Sequence, residues 1–120
     1  MATLIDPDFR ARLRALNEKY AAGVPALLQA ITQASSRCDS DGPRLEPLTE
    51  LHRALHAVAG SAATFGFAAL GQECRRIEQL VRAMLNAPAQ AGAEWPVVRA
   101  QVTALLEWAG RDAAATHFTA

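Results

Sequence analysis

The chain has 120 residues, about half of them apolar, and its 12 basic and 12 acidic side chains give a formal net charge of zero. This length predicts one domain, residues 1–120, with its own core, and the balanced charge excludes a general attraction to nucleic acid or to anionic membranes. Aromatic residues make up only 6% and alanine is abundant, which favours packed helices over sheets.

The N-terminus lacks the apolar region of a signal peptide, and no run approaches the roughly 18 apolar residues of a membrane span. We therefore expect a cytoplasmic protein. Cys38 and Cys74 fit neither a CxxC pair nor zinc-ligand spacing, so reduced thiols are the simplest interpretation and a disulfide is the alternative. A nucleophilic role for Cys74 is disfavoured because its position is in an apolar stripe.

Apolar residues at three- and four-residue spacing predict a first helix over residues 7–36, with Asp6 as its N-cap. Gly23 and Pro25 interrupt it, so either one helix kinks there or two helices meet. The unbroken apolar register favours the kinked helix. The predicted inward positions are Phe9, Leu13, Leu16, Tyr20, Val24, Leu27 and Ile31.

Turn-forming residues predict a loop over residues 38–47, followed by a second helix over residues 47–65. Gly66 is well placed as the left-handed residue that ends this helix, with Phe67 as the accompanying hydrophobic contact. A tight hairpin then leads into a third helix over residues 68–86. Its predicted inward face is Leu70, Cys74, Ile77, Val81 and Leu85.

Small residues predict a loop over residues 87–93, and the last helix carries Pro96 in its first turn and frays after Gly110. Its inward side is Trp95, Val98, Val102, Leu105 and Ala109. The fold class that follows is all-α, an antiparallel four-helix bundle with an N-terminal helical extension or a kinked first helix.

The second helix has one histidine, His56, at the edge of its apolar stripe, about 100° around the helix from Leu55. The residues that follow are small where an exposed face usually carries long polar side chains: Ala57, Ala59, Gly60, Ser61 and Ala63. A glycine inside a helix costs about 1 kcal/mol relative to alanine. Gly60 therefore indicates close approach, either of a neighbouring helix or of a separate protein, and its outward position favours the separate protein.

Glu78 lies about level with His56 across the predicted hairpin, because the two are similar distances from Gly66 along their helices. A carboxylate that accepts from one ring nitrogen would leave the lone pair of the other available as a nucleophile. The alternative is that Glu78 is solvated and pairs with Arg75 or Arg82 at helical spacing.

His52 and His56 are four residues apart, which is also the spacing of helical metal ligands. A third ligand would have to be Glu78 or the distant His117, and HxxxH alone is a weak signal. We expect no metal site, and we interpret His52 as a surface or rim residue.

The pattern His56, Val58, Gly60, then Ala62, Gly66 and Leu70, and later Ile77 with Glu78, closely resembles the histidine-containing phosphotransfer domain of two-component phosphorelays. The resemblance is strong over the central hairpin and looser over the first and last helices. It implies a four-helix bundle in which His56 is the phosphoacceptor, Glu78 orients its imidazole, and the small residues Ala59, Gly60 and Ala63 form the docking surface.

The same resemblance implies a phosphocarrier rather than an autonomous kinase, with response-regulator receiver domains and a hybrid sensor kinase as partners. It implies no cofactor of its own, since the Mg²⁺ for transfer would come with the receiver. We expect a monomer, and an initial Met without kinase or receiver segments favours a stand-alone carrier.

One position departs from the family pattern. Three residues after the histidine, where the family usually has lysine, this chain has Ala59. Arg53, Arg75 or Arg82 could supply the missing positive charge, although such an arginine is more often simply a solvated charge. Three functions stay open: a phosphocarrier, a receiver-binding module with weak or no phosphorylation, and a structural bundle.

Overall fold

The computed structural model describes residues 7–119, which form four α-helices and two short 3-10 turns. The helices are α1 (Pro7–Ser40), α2 (Leu45–Ser61), α3 (Ala68–Asn86) and α4 (Ala91–Asp112). This architecture confirms the predicted all-α bundle. The predicted cap at Asp6 lies outside the described residues. None of the helices in residues 7–119 combines the length and apolar character that crossing a bilayer requires.

α1 is one helix that continues through Pro25, as the unbroken register predicted. Its end was predicted too early, because the helix runs to Ser40 and the following connection is only residues 41–44. Contacts outside the helix accompany the extension: Cys38 is fully buried in the core, and the guanidinium of Arg37 pairs with Asp41 at the helix end and with Glu50 on α2. Together they hold the last turn in place although its sequence is rich in turn formers.

The prediction of a continuous buried face on α1 was wrong for its first half. Phe9, Leu13 and Leu16 are exposed, whereas Val24 and Ile31 are buried in the core. The reason is length: 34 residues span about 51 Å, more than the 17 to 22 residues of the other helices can cover. The first half of α1 thus extends past the bundle, as the predicted N-terminal extension.

α2 ends in a Schellman motif built on a 3-10 turn, Ala62–Phe65. Gly66 is left-handed with φ 95°, and its N–H donates to Ala63 while the N–H of Phe67 donates to Ala62. Phe67 is buried, and Tyr20 of α1 stacks on Phe65 and contacts Phe67. The predicted glycine stop and its hydrophobic contact are both present, and they fold α3 back along α2.

The predicted bounds of α3 are confirmed. Leu70, Cys74, Ile77 and Val81 are buried as predicted, but Met84 fills the last inward position and Leu85 is only half-buried. The predicted inward residues of α4 are all buried; they are Trp95, Val98, Val102, Leu105 and Ala109.

α4 starts earlier than predicted, at Ala91, so Pro96 lies within the helix rather than in its first turn. The short turn Pro88–Gln90 replaces much of the predicted loop. α4 is joined to the end of α1 by polar contacts, because the indole of Trp95 donates to Asp39 at 2.8 Å and Arg99 approaches the same carboxylate. These contacts close the bundle at the end opposite Gly66.

Candidate functional site

His56 lies on α2 immediately after the fully buried Leu55, and its side chain is 64% exposed. This is the edge position that helical periodicity predicts. The imidazole Nδ1 contacts the Oε2 atom of Glu78 on α3 in a short hydrogen bond. The ring is therefore held at one nitrogen by the protein, while most of its remaining surface faces solvent.

Glu78 follows the buried Ile77 and is itself buried, with only 4% of its surface exposed. A buried carboxylate requires hydrogen-bond donors, and His56 supplies one. No ion pair between Glu78 and Arg75 or Arg82 is found in residues 7–119, so the alternative of a solvated Glu78 is wrong. The hairpin brings His56 and Glu78 together because they lie at similar distances, ten and twelve residues, from Gly66.

His52 lies one helical turn before His56 and approaches the same carboxylate. Its Nε2 atom is 3.3 Å from Oε2 of Glu78, and its ring stacks on that of His56 with centroids 5.9 Å apart and planes 14° apart. Its side chain is only 20% exposed. The interpretation of His52 as a rim residue missed this contact, although its four-residue spacing from His56 was the available signal.

The two histidines and Glu78 are close together, yet their geometry differs from that of a metal centre. His56 Nδ1 and Glu78 Oε2 are in direct hydrogen-bond contact, which leaves no space for an ion between them. Residues 7–119 contain no group of three or more His, Cys, Asp or Glu side chains that could hold a metal ion.

Two of the three predicted arginines lie beside His56. Arg53 and Arg82 line one groove together with His52, His56 and Ala57. Arg75 of α3 instead reaches across to α2 and donates from Nη2 to the carbonyl oxygen of Ala59 at 3.0 Å. The structure therefore places Arg75 at the position that departs from the family pattern, three residues after His56.

The small residues after His56 do not all share one face. Gly60 and Ala63 are exposed, and a Cβ added to Gly60 would meet nothing within 4 Å, so no neighbouring helix explains this glycine. The prediction that Ala59 is also exposed was wrong, because only 7% of its surface is accessible. Ala59 lies at the seam between α2 and α3, under Arg75.

Gly71 is the glycine that the helix packing does require, and the sequence reasoning missed it. A Cβ at this position would lie 3.3 Å from the Cβ atom of Ala62 and 3.5 Å from the backbone nitrogen of Ala63. Such close contact lets α3 lie directly against the end of α2. The sequence feature that could have indicated this contact is the position of Gly71, five residues after Gly66 and in the first turn of α3.

Tyr20 of α1 is hydrogen-bonded to the last residue of α2, Ser61. Its hydroxyl donates to Ser61 Oγ at 2.8 Å, and Ser61 in turn donates to the carbonyl oxygen of Ala57 at 2.8 Å. Ala57 directly follows His56 in sequence. The chain of hydrogen bonds therefore fixes the turn of α2 that carries the histidine, a function that apolar periodicity does not reveal.

Cys74 belongs to the core and not to the site. Both cysteines are free and buried, and burial raises the pKa of the Cys74 thiol to about 12. A thiol with this pKa stays protonated near neutral pH, which excludes nucleophilic chemistry at Cys74. His56, by contrast, presents an exposed imidazole on this surface.

Comparison with known proteins decides the family. The family model described as the Hpt domain matches residues 15–108. The chain belongs to the Hpt domain family. Residues of the chain are also 38% identical over 55 positions to the chemotaxis protein CheA of Klebsiella aerogenes, covering 46% of this chain and 8% of that protein. No solved structure gave a significant match.

An Hpt domain is a phosphotransfer module of two-component signalling. The match includes α2 and α3 in full, and therefore the hairpin that carries His56 and Glu78. The chain spans about a twelfth of the CheA relative, so what the whole of that protein does is not carried over to this Hpt domain.

Proposed function

We propose that the protein is a histidine phosphotransfer protein in which His56 exchanges a phosphoryl group with the aspartate of response-regulator receiver domains. The observation that carries the proposal is the hydrogen bond between His56 Nδ1 and the buried carboxylate of Glu78, on an otherwise exposed imidazole. In the neutral form of the ring, this pairing favours the proton on Nδ1 and leaves the lone pair on Nε2.

Transfer to His56 follows from this arrangement. The Nε2 lone pair attacks the phosphorus of an aspartyl phosphate, the nitrogen–phosphorus bond forms, and the carboxylate of the receiver leaves with the electron pair of the broken phosphorus–oxygen bond. The imidazole then carries a positive charge, which Glu78 stabilises through the retained Nδ1 proton. The reverse sequence returns the phosphoryl group to a receiver.

Attack must be in line with the leaving oxygen, so the receiver has to approach the imidazole closely. We propose that the exposed Gly60 and Ala63 form the surface on which it docks, because a larger side chain at either position would hold the receiver away. The Mg²⁺ for transfer comes with the receiver in this proposal. The protein itself acts as a carrier and not as an autonomous kinase.

The negative charge of the phosphoryl group needs cationic partners. Arg53 and Arg82 border the groove beside His56, and Arg75 donates to the carbonyl oxygen of Ala59, three residues after His56. Arginine donates paired hydrogen bonds to phosphoryl oxygens and keeps its charge at all physiological pH values. We propose that Arg75 supplies the charge that lysine usually supplies at the position of Ala59.

The absence of that lysine favours a second candidate, a receiver-binding module with weak or no phosphorylation. A structural bundle with no receiver is a third. All three share the same fold and differ only in what the surface around His56 binds and accepts. A transfer assay with receiver domains and a hybrid sensor kinase from the same organism separates them.

The test incubates the protein with phosphorylated receivers and measures acid-labile, base-stable label on the protein. The carrier proposal expects label that disappears in His56→Gln and persists in His117→Gln, the same change at a remote histidine. Receiver binding without label supports the second candidate. Absence of both label and binding for every receiver of the organism overturns the proposal.

A further inference from the structure

His52 has a buried ring nitrogen, Nε2, that takes no part in the proposed transfer. Its Nε2 atom has no solvent contact and makes no hydrogen bond of good geometry, yet it lies 3.3 Å from the same Glu78 oxygen that holds His56. A buried polar atom without a partner is unfavourable unless nearby groups compensate. The carboxylate of Glu78 is the compensating group within reach.

The two histidine rings also form a stack. Their planes are 14° apart, so the ring of His52 lies alongside the ring of His56 and limits its tilt. The i, i+4 spacing on α2 produces this arrangement, since side chains four residues apart lie one above the other. Two independent contacts of His52, one to Glu78 and one to His56, therefore converge on the proposed phosphoacceptor.

We infer that His52 is a positioning residue for His56: its Nε2–H, 3.3 Å from Oε2 of Glu78, attracts the carboxylate and holds it in the rotamer that accepts from His56 Nδ1. The effect on phosphoryl transfer rests on the proposed function, whereas the positioning of the carboxylate does not. A carboxylate oxygen has two lone pairs, so the oxygen that accepts from His56 can also face the N–H of His52. A bare Nε2 lone pair would instead repel Oε2, so His52 carries its proton on Nε2.

The consequence is control of the His56 tautomer. With Glu78 held between two donors, His56 keeps its proton on Nδ1 and its lone pair on Nε2. Without the His52 donor, the carboxylate is free to rotate toward other donors, and the proton on His56 redistributes between its two nitrogens. A larger share of rings then presents Nε2–H, which cannot attack phosphorus.

The test compares two substitutions that separate the donor from the ring. His52→Gln retains an N–H donor at about the position of Nε2, whereas His52→Phe retains a stacking ring without any donor. The ¹⁵N chemical shifts of His56, which distinguish its two tautomers, are measured at mildly alkaline pH. His117→Phe is the matched control, because it is the same change at a histidine far from the site.

We expect His56 in the wild-type protein and in His52→Gln to show the Nδ1–H tautomer, and His52→Phe to shift His56 toward Nε2–H with a severalfold slower transfer rate. Thermal unfolding checks that both variants fold. An unchanged His56 spectrum in folded His52→Phe overturns the inference, even if transfer proceeds. A shifted spectrum in a protein that never accepts phosphoryl groups leaves the positioning intact and removes only the proposed function.

Discussion

Arg75 and Ala59 are joined by a hydrogen bond that crosses from α3 to α2, from Nη2 of the guanidinium to the backbone carbonyl oxygen at 3.0 Å. Ala59 is itself buried, and it stands where a lysine is usual in the family. In the proposed function, Arg75 supplies from α3 the positive charge that such a lysine would supply from α2.

Arg75→Gln is expected to slow phosphoryl transfer about tenfold, since one charge-assisted hydrogen bond contributes about 1.5 kcal/mol. Rates of transfer from a phosphorylated receiver provide the measurement. Arg111→Gln, the same change at an exposed arginine near the end of α4, is the control and should leave the rate unchanged.

Ala59→Lys tests whether Arg75 takes the place of the lysine that is usual at this position. In the Arg75→Gln background the new lysine should restore most of the rate, whereas in the wild-type protein it competes with Arg75 for the same space and changes little. A rate that Arg75→Gln does not alter would show that Arg53 and Arg82 suffice.

Gly60→Leu is expected to weaken receiver binding at least tenfold without loss of stability. The added side chain projects from an exposed position where nothing lies within 4 Å, so it obstructs a docked partner and not the fold. Calorimetric titration with a receiver domain gives the affinity, and Gly60→Ala is the control, expected to gain up to about 1 kcal/mol of stability. Unchanged binding by Gly60→Leu would remove this surface from the docking site.

Gly71→Val is expected to lower the free energy of unfolding by about 1–3 kcal/mol, because the branched side chain overpacks the contact with Ala62 and Ala63. Gly60→Val is the same substitution at a position with open space on α2, and it should cost much less. Denaturant unfolding measures both. Equal losses in the two variants would contradict the close packing at Gly71.

The buried Cys74 thiol predicts a loss of stability at high pH. Its pKa is raised from 9.0 to about 12 in the folded protein, so the unfolded chain releases this proton first. The stabilising effect is complete below about pH 9 and declines as the pH rises toward 12, by about 1.4 kcal/mol per pH unit. Unfolding curves across this range should be flatter against pH for Cys74→Ala, and parallel curves would contradict the prediction.

Local signals explain which parts of the fold were predictable. Gly66 supplies a left-handed stop and Pro88 prevents continuation past Asn86, so the bounds of α3 followed from sequence. The end of α1 did not, because its last turn depends on the pairing of Arg37 with Glu50, a residue of another helix. The spacing of apolar residues within one helix does not reveal such contacts between helices.

The candidate site was also predictable only where local signals were enough. The similar distances of His56 and Glu78 from Gly66 predicted their approach, but the burial of Ala59 and the contact of His52 with Glu78 depend on packing between α2 and α3. The close approach of Gly71 to Ala62 likewise appears only when its neighbour on the other element is known. The sequence alone predicted the pairing of His56 with Glu78 and missed these contacts.

The first part of α1, before Tyr20, extends past the bundle and is expected to unfold locally without the rest of the protein. Before Tyr20 the helix has little tertiary packing, so its backbone amides should exchange with solvent hydrogen at rates set by helix fraying. From Tyr20 onward, the stacking on Phe65 and the hydrogen bond to Ser61 tie α1 to the histidine-bearing end of α2. Slow exchange should begin at that tyrosine, so the roughly three and a half turns of α1 before it should open separately from the bundle.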